Sequence, residues 1–342
     1  MKTSLSSISS APQSRSSEQA VMAYDLLTFG EALVEIMRTG IDQPLDQPGL
    51  FEGPFPSGAP FIFTVQAARL GAKAACIGAV GDDAFGRCML RALEQDGVDT
   101  RVVRVLPDYA TGAAFIAYSS DGSRDFVFHL RHDAAGQLSP DMLDPAMFEG
   151  LRCLHLMGSS LSMHRDALAL GQRALELARA AGALVSFDPN IRPQLLPPEQ
   201  AREVFEPFVD AADILMPTTE ELCLLADALT PSEAALRLLT ARPSRLIVST
   251  TGAEGCILYS LNDGELNARA IRAFSVDVVD PTGAGDCFDA GFLVRWLAGD
   301  SPSEAALFGN ACGALACTAR GPMAGAMSAA VVTEFIHQHT GS

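Results

Sequence analysis

The sequence predicts an α/β fold in which a mostly parallel sheet is covered by helices on both faces. Short apolar runs that end in a glycine-containing turn, such as "DLLTFG" and "SRLIVSTTGAEG", alternate with helical patterns such as "HRDALALGQRALELARAAG". This strand–helix alternation is typical of parallel strands joined by crossover helices. The chain has 342 residues, of which 48% are hydrophobic, so one large core can form. We therefore expect a three-layer, doubly wound domain over residues 23–340.

Two regions lack the helical pattern. The stretches "EALVEIMRTG" and "GLFEGPFPSG" form the first, and "TGAAFIAYSSDGSRDFVFHLR" is the second. Asp121-Gly122 is a hairpin turn signal within the second region. The strands of about 31–57 and 101–131 are predicted to form a separate small sheet, which acts as a lid or as a dimer surface. Exposed strand edges favour a homodimer, because unpaired edges need covering.

Composition and charge exclude several classes of protein. Residues 1–22 are rich in serine and contain no long apolar run, which predicts a disordered tail rather than a secretory signal, with a transit-type sequence as the alternative. The net charge of −17 argues against a nucleic-acid or anionic-membrane partner, and no apolar run reaches the roughly 20 residues of a membrane helix. Eight cysteines without a C-x-x-C pair predict buried, reduced thiols and a cytoplasmic location.

The stretch "DPTGAGDCFDAGFL" carries the clearest chemistry. A helix is expected to begin near Ala284, so the amides of Gly283, Ala284 and Gly285 are unpaired and small side chains let a phosphate approach them. Asp286 would repel such an anion, which makes sense if the carboxylate accepts the proton of an attacking hydroxyl. For an isolated tetrapeptide the alternative stays open: Asp286 favours the helix start, and the glycines serve packing.

The wider sequence resembles the ribokinase-like carbohydrate kinases of the phosphofructokinase-B type. The stretch 280–293 is similar to their C-terminal signature, D-[ST]-x-G-A-G-D, and "PSGAPFIFTVQAARLGAKAACIGAVGDDAFG" is similar to their N-terminal signature. This resemblance implies a kinase that uses ATP and Mg²⁺. It implies that Asp286 is the catalytic base, and that the amides of Gly283, Ala284 and Gly285 form the anion hole.

The resemblance also implies a nucleotide site near the end of the chain. The stretch "VSTTGAEGC" is similar to the ATP-binding segment of the family, with Thr250, Gly252 and Gly255 at matching positions. Asn310 lies where the helix beside the adenine carries an asparagine. For the two glycines, an ordinary turn between strands is the alternative.

Two acidic residues are candidates for metal ions. The stretch "ILMPTTEEL" resembles the N-x-x-E segment that organises Mg²⁺, with Glu221 as the acid acting indirectly and Thr218 where asparagine is usual. Asp280 matches an acid that some members use near a monovalent-cation site, which adds K⁺ as a candidate. An aspartate that only begins a helix explains Asp280 equally well.

Three further stretches point to the sugar. "TFGEALVEI" and "FDPNIRPQL" resemble segments of fructokinases and 2-keto-3-deoxygluconate kinases, and "FHLRHDAAGQLSP" resembles the segment that carries a carboxylate-binding arginine in the latter. The residues that the resemblance assigns to the sugar are Gly30, Glu35, Gly58, Arg131, Asp188, Asn190 and Arg192. One departure is Ile62, which replaces a family asparagine that contacts the sugar. A buried hydroxyl left unpaired there would cost about 1–3 kcal/mol.

These observations favour an ATP-dependent kinase acting on a primary hydroxyl of a small sugar or sugar acid, with 2-keto-3-deoxygluconate preferred over fructose. The alternatives are a fructokinase, another sugar or nucleoside kinase of this family, and a non-catalytic sugar sensor, which Ile62 and Thr218 keep open. An NAD-dependent dehydrogenase is excluded, because "GEALVE" rather than G-x-G-x-x-G follows the first strand.

Overall fold

The computed structural model describes residues 23–340, so the predicted tail of residues 1–22 lies outside the described residues. The strands are β1 (Leu26–Phe29), β2 (Leu33–Ile41), β3 (Phe51–Ser57), β4 (Ala74–Gly81), β5 (Val103–Leu106), β6 (Gly112–Tyr118), β7 (Arg124–His129), β8 (Cys153–Met157), β9 (Leu184–Asp188), β10 (Ile214–Leu215), β11 (Leu246–Thr250), β12 (Gly255–Asn262) and β13 (Glu265–Arg272). The helices are α1 (Ala59–Arg69), α2 (Ala84–Gln95), α3 (Gly158–Leu161), α4 (Arg165–Ala180), α5 (Pro198–Ala211), α6 (Thr219–Ala226), α7 (Pro231–Ala241), α8 (Ala284–Leu297), α9 (Pro302–Ala316) and α10 (Ala329–Thr340).

The large sheet has nine strands in the order β13-β12-β11-β10-β9-β8-β1-β4-β5. Only the pairs β11–β12 and β12–β13 are antiparallel, and the others are parallel. The carboxyl ends of the parallel strands therefore meet along one edge. In such sheets ligands bind outside that edge, and β9 and β11 lead into the predicted site from there.

Both faces of the large sheet are covered, which confirms the predicted three layers. Successive residues of β1 point to opposite faces: Leu26 packs with Phe63 of α1 and Phe292 of α8, whereas Leu27 packs with residues of α4 to α7 such as Phe205. Each of these side chains is buried. The helix α8, which carries Asp286, packs on this face of the sheet and contacts α1 and α9.

The small sheet is separate and has the strand order β3-β2-β6-β7. Its central pair, β2–β6, is parallel, and its outer pairs are antiparallel. The predicted turn at Asp121-Gly122 closes the β6–β7 hairpin, with the Ser119 amide donating to the Ser123 carbonyl at 2.9 Å.

One boundary of the predicted small sheet is wrong. The segment of about 101–131 begins too early, because Val103–Leu106 (β5) pairs in parallel with β4 in the large sheet. The four-residue run "VRVL" follows helix α2 and completes a crossover unit, which a period-two pattern alone cannot distinguish from a strand of the small sheet.

The structure also bears on the cysteines and on membrane insertion. All eight cysteines lie within residues 23–340 and none is in a disulfide; five are fully buried. Within the same residues, no helix combines the length and the apolar character needed to cross a membrane.

Candidate active site

The turn before α8 leaves main-chain donors free. Gly283 is the N-cap of α8 with φ of 82°, and a Cβ atom there would lie 2.8 Å from the Pro322 carbonyl oxygen, so only glycine fits. No described residue accepts a hydrogen bond from the amides of Gly283 or Gly285. The prediction of an unpaired amide was wrong for Ala284, whose amide donates to the Pro281 carbonyl at 3.4 Å, because the turn before the helix folds back on itself. A Cβ atom on Gly285 would meet no atom within 4 Å. The positive end of the helix therefore opens onto free space.

Asp286 lies in the first turn of α8, directly beyond these amides, and is only 6% exposed. Burial raises the pKa of its carboxyl to about 7; the Arg192 charge opposes this rise, and the charges of Glu31 and Glu35 add to it. A buried carboxylate with a pKa near neutrality is suited to accept a proton from a substrate hydroxyl. The charges that act on Asp286 thus include two residues predicted for the sugar, Glu35 and Arg192, and one that was not predicted, Glu31.

Glu31 and Glu35 lie on either side of the start of β2, and both are buried. The Ser160 and Ser159 hydroxyls donate to the Glu31 carboxylate at 2.7 and 3.1 Å. The Ser57 hydroxyl donates to Glu35 Oε1 at 2.7 Å, whereas Glu35 Oε2 has no partner among the described residues. Burial raises the pKa of Glu35 to about 7. This orphan oxygen is a ready acceptor for a sugar hydroxyl.

Gly30 and Gly58, both predicted to line the sugar cleft, permit close packing around Glu31. A Cβ atom on Gly30 would lie 2.1 Å from the Ser160 hydroxyl, and one on Gly58 would lie 2.0 Å from the Glu31 carbonyl oxygen. Protein atoms thus fill the space beside these glycines. Their contribution to the site is the position of Glu31.

The loop after β9 carries the next polar group. Asp188 ends β9, and its carboxylate accepts hydrogen bonds from the main-chain amide and the side-chain amide of Asn190, at 3.0 and 2.9 Å. Burial raises the pKa of Asp188, and the Glu221 charge adds to that rise. Asn190 Oδ1 is buried without a hydrogen-bond partner among residues 23–340. Arg192 is exposed and acts electrostatically on Glu31, Glu35 and Asp286.

Glu221 connects two loops of the site through its carboxylate. Oε1 accepts the Ile191 amide at 2.7 Å, and Oε2 accepts the Thr218 amide at 2.9 Å. The Thr218 hydroxyl in turn accepts the Glu221 amide, which completes a capping box at the start of α6. Threonine at the position of the family's asparagine is therefore accounted for as a helix cap.

The predicted nucleotide segment follows β11. The Thr250 amide donates to the Pro217 carbonyl at 2.9 Å. A Cβ atom on Gly252 would meet no atom within 4 Å, whereas one on Gly255 would lie 2.1 Å from the Ile271 carbonyl oxygen. Gly252 is therefore at an open surface, and Gly255 lies where β12 and β13 approach each other closely.

Asn310 projects from α9 towards the same strands. Its side-chain amide donates to the carbonyls of Ile271 and Arg272 at 3.0 and 3.1 Å, and the residue is 5% exposed. Both contacts attach α9 to the end of β13. The assignment of Asn310 to the nucleotide stays a prediction.

Asp280 is 2% exposed and accepts three hydrogen bonds. Oδ1 accepts the Thr282 amide at 3.0 Å and the Tyr118 hydroxyl at 3.1 Å, and Oδ2 accepts the Gly321 amide at 3.1 Å. No group of three or more His, Cys, Asp and Glu side chains arranged to hold a metal ion occurs in the described part of the chain. The monovalent-cation site at Asp280 stays a prediction.

Arg131 lies at the wall of a cavity of about 600 Å³, together with Phe126, Phe128 and His129. Its guanidinium donates to the Leu195 carbonyl at 2.9 Å. Of the two arginines predicted for the sugar, Arg192 acts on Asp286, and Arg131 joins the hairpin end to the loop after β9.

Ile62, the departure from the family pattern, supports the turn before α8. The residue is 2% exposed, and its Cγ2 atom would lie 3.0 Å from a Cβ atom placed on Gly283. An apolar side chain thus packs under the turn before α8. It offers no hydrogen bond to a sugar hydroxyl, so a hydroxyl at this position needs another partner.

Sequence reasoning missed several residues that the structure brings to the site. Glu31 stood within "TFGEALVEI" but was not singled out. Asp289 is one helical turn beyond Asp286, is 2% exposed, and lies 3.7 Å from Nε2 of the fully buried His155. Tyr118 and Arg124 of the small sheet contact Asp280 and Thr282. Only the helical spacing of Asp286 and Asp289 was a usable signal, since the other contacts join distant segments.

The chain is similar to known carbohydrate kinases in sequence and in fold. The model of the pfkB family carbohydrate kinases matches residues 55–329. Fructokinase-1 of Zea mays is 32% identical over 323 residues, which cover 92% of this chain and 98% of that protein.

Two solved structures share the fold. An Escherichia coli protein provisionally named ribokinase II, in complex with ATP and Mg²⁺, superposes with a TM-score of 0.85 at 38% identity and covers 92% of this chain and 100% of that chain. A double mutant of the fructokinase from Vibrio cholerae O395, bound to fructose, ADP and potassium ion, superposes with a TM-score of 0.78 at 26% identity, with coverages of 92% and 99%.

Proposed function

The chain belongs to the pfkB family of carbohydrate kinases, and from that membership we propose that it transfers the γ-phosphoryl group of ATP to a primary hydroxyl of a neutral ketose of the fructose class. It is a sugar kinase, a phosphotransferase with an alcohol acceptor; the choice of sugar is the proposal. One observation supports the phosphoryl transfer itself: the buried Asp286 stands directly beside the open, unpaired amides of Gly283 and Gly285.

The chemistry of these residues follows from their geometry. Asp286, as carboxylate, accepts the proton of the sugar hydroxyl as that oxygen attacks phosphorus. The amides of Gly283 and Gly285 donate to the phosphoryl oxygens and gain strength as charge develops on them. ATP supplies the phosphoryl group. Positioning and electrostatic stabilisation are the main contributions of the protein, as is general for phosphoryl transfer.

The residues present fit Mg²⁺ that arrives bound to ATP and keeps several water ligands. Asn190 Oδ1 is a buried oxygen without a partner among the described residues, and a metal-bound water could donate to it. Glu221 has both oxygens engaged by main-chain amides, so any action on Mg²⁺ is through the loop that it positions. K⁺ near Asp280 is a further proposal, supported by the potassium-bound relative.

The charge of the site favours a neutral sugar over an acid sugar. Glu31 and Glu35 are buried beside Asp286, and Glu35 Oε2 offers an unused acceptor. Sugar hydroxyls can donate to such oxygens, whereas a sugar carboxylate would place a further negative charge next to them. The fructokinase names of the relatives support the same choice.

An acid sugar of the 2-keto-3-deoxygluconate class is the second candidate. Arg192 favours it, because this exposed guanidinium lies near Glu31, Glu35 and Asp286 and forms no ion pair with a carboxylate among residues 23–340. A sugar carboxylate could bind there through a bidentate contact.

A phosphorylation panel tests the choice of sugar. Fructose, ribose, 2-keto-3-deoxygluconate and a nucleoside are compared by kcat/KM at saturating ATP, and the position of phosphate in the product is determined by NMR. We expect fructose to be preferred and Glu35→Gln to raise its KM. A preference for the acid sugar that is lost in Arg192→Gln would overturn the proposal.

The role of Asp286 has its own test. Asp286→Asn keeps the shape of the side chain but removes the proton acceptor, and we expect kcat to fall by roughly 10²- to 10⁴-fold. Asp82→Asn, at an exposed position, is the matched control. ADP formation at the wild-type rate in Asp286→Asn would contradict the mechanism.

A homodimer is also proposed, through the small sheet. Ile41, Phe51 and Val127 on its strands are 61%, 40% and 44% exposed. Large apolar side chains exposed on a sheet are typical of interfaces. Light scattering at micromolar protein concentration measures the molecular mass directly. The mass of a monomer would refute the proposed homodimer.

A further inference from the structure

An arginine of the small sheet reaches the anion-binding turn. Arg124 is the first residue of β7, and its Nη1 donates to the Thr282 hydroxyl at 3.1 Å. Thr282 directly precedes Gly283, whose amide is open. A guanidinium from one sheet is thus held one residue away from the main-chain donors that belong to the other part of the molecule.

The charge of Arg124 is not neutralised by the protein. Among the described residues, no carboxylate comes within ion-pair distance of its guanidinium, and the Thr282 hydroxyl is the one acceptor of a side-chain hydrogen bond from it. Its remaining contact is the Phe126 ring, with the guanidinium carbon 5.5 Å from the ring centroid. An arginine has five N–H donors, so most of those of Arg124 are available to a ligand.

The surroundings of Arg124 are acidic. The chain carries a net charge of −17, and Glu31, Glu35 and Asp286 cluster at the site. Arg124 also lies close enough to Glu35 to act on its charge. These three carboxylates are buried, and Arg124 donates instead to a hydroxyl beside the open amides. Arg192 is also unpaired among residues 23–340, but only Arg124 of the two is fixed next to these main-chain donors, and this position points to an anion as its partner.

A second arginine shows what a structural connection between the same parts looks like. Arg320, from the segment after α9, lies 2.7 Å from the Glu52 carboxylate of β3 and donates to the Arg38 carbonyl of β2 at 3.0 Å. Its charge is paired, and both its contacts are with the small sheet. Arg320 therefore joins the two parts without offering charge to a ligand, which makes it a matched control.

We propose that Arg124 is a further catalytic residue, supplied by the small sheet, whose guanidinium binds the phosphoryl group during its transfer. This rests on the proposed kinase reaction. In that step the bond between the γ-phosphorus and the β–γ bridging oxygen breaks, and the sugar oxygen forms a new bond to the γ-phosphorus. The hydroxyl proton goes to Asp286, and the bridging oxygen leaves on ADP with its negative charge. Arg124 and the amides donate hydrogen bonds to the oxygens of the phosphoryl group during its transfer and stabilise the negative charge on them.

The proposal gives the small sheet a function in catalysis. Because Thr282 orients the guanidinium, the contact is complete only when the small sheet lies over the turn before α8. Hydrolysis of ATP without sugar would therefore be slow whenever this sheet is displaced. Such assembly of a site by the approach of a second part is a common use of lids.

The test compares Arg124→Ala, Arg124→Lys and Arg320→Ala. We expect Arg124→Ala to lower kcat by roughly 10²- to 10³-fold, the loss usual for one donor to a developing charge, with a small change in the KM for the sugar. Added guanidinium ion should restore part of the kcat of Arg124→Ala. Arg124→Lys should lie between the two, since it keeps the charge but not the fork. Arg320→Ala should not respond to guanidinium.

A binding measurement complements the kinetics. In a complex with ADP and the sugar, aluminium fluoride resembles the phosphoryl group during its transfer. Calorimetry gives the Kd of this complex. We expect Arg124→Ala to weaken this complex at least tenfold while the Kd of ADP alone is unchanged, and Arg320→Ala to leave both unchanged. Unchanged aluminium fluoride binding, or equal kcat losses in both variants without rescue, would overturn the proposal.

The outcome is separable from that of the proposed reaction. If Asp286→Asn is inactive but Arg124→Ala has wild-type kcat, the reaction stands and the role of Arg124 falls. If no sugar in the panel is phosphorylated, the proposed reaction falls first. Arg124 is exposed, so its variants are expected to fold, which thermal unfolding would verify.

Discussion

The turn before α8 and the surroundings of Asn310 differ in where their polar atoms point, although both match motifs of the same family. At the turn, the amides of Gly283 and Gly285 have no acceptor among the described residues, and the space beside Gly285 is open. At Asn310, the side-chain amide already donates to two carbonyls of β13. One region is prepared for a ligand, and the other holds two elements together.

The hydrogen bonds of a motif residue therefore indicate whether it is free to bind a ligand. Glu221 resembles Asn310 in being already engaged, because both its oxygens accept hydrogen bonds from main-chain amides. Asn190 resembles the turn before α8 in having an unpaired polar atom, because its Oδ1 is buried without a partner among residues 23–340. A buried polar atom left unpaired costs free energy, so its persistence favours a bound partner. Satisfied atoms at equally recognisable positions favour structural roles.

Among the tests of this comparison, the largest effect is expected from a methyl group on the turn itself. Gly285→Ala should preserve or slightly raise the midpoint of thermal unfolding, because alanine is the better helix former and its Cβ meets no atom within 4 Å. The same methyl would occupy the space where a phosphoryl group approaches the amides. We expect kcat to fall by roughly 10²-fold, as for the loss of an oxyanion donor.

Gly283→Ala is the matched variant for this prediction. Its Cβ would lie 2.8 Å from the Pro322 carbonyl oxygen at a φ of 82°, so we expect a loss of about 1–2 kcal/mol in the free energy of unfolding. Stability and activity thus separate at Gly285 and fall together at Gly283. If both variants lost the same free energy of unfolding, the space beside Gly285 would be as closely packed as that beside Gly283, which would contradict the prediction.

The second prediction concerns Asn310. Asn310→Ala leaves the carbonyls of Ile271 and Arg272 without their donor, so we expect the free energy of unfolding to fall by about 1–3 kcal/mol. The Kd of ATP, measured by calorimetry, should change less than threefold. A large loss of ATP affinity at unchanged stability would instead return Asn310 to the nucleotide site, as the sequence predicts.

The sequence predicted the layers of the fold because the required signals are local. Alternation of strands and helices and the start of α8 at Ala284 follow from apolar periodicity and glycine. The assignment of Val103–Leu106 was wrong, because the partner of a short strand is not encoded in the strand itself. The pairing of strands is decided by tertiary packing, which no local pattern contains.

The site was predictable where its residues lie within one short motif, and not where they come from distant segments. Asp286 and its glycines lie within one short motif, whereas Arg124 and Thr282 meet only because the small sheet lies over the turn. Glu31 is held by the distant Ser159 and Ser160. The role of Thr218 as a helix cap and of Ile62 as apolar support became visible only with their neighbours known. Contacts between segments far apart in sequence account for most of what was missed.

The smallest expected effect is a shift in pH dependence, and it examines the charges around the open turn. Asp286 acts as a base only when deprotonated, so kcat/KM for a neutral sugar should rise with pH through its pKa of about 7. Burial raises this pKa, and the positive charge of Arg192 opposes the rise. Arg192→Gln removes that opposition, so the pKa increases and the rising limb moves to higher pH.

We expect this shift to be about one pH unit or less, since one unit corresponds to about 1.4 kcal/mol of interaction. The control is Arg173→Gln, which removes an exposed arginine paired with Glu176 and should leave the limb in place. The profile is measured as kcat/KM at constant ionic strength, because screening weakens such interactions. A limb that moves to lower pH in Arg192→Gln would mean that the titrating group is not Asp286. Whether the titrating group is Asp286 matters because an open turn can bind an anion without a base. Phosphoryl transfer also needs a deprotonated carboxylate beside the turn that accepts the hydroxyl proton.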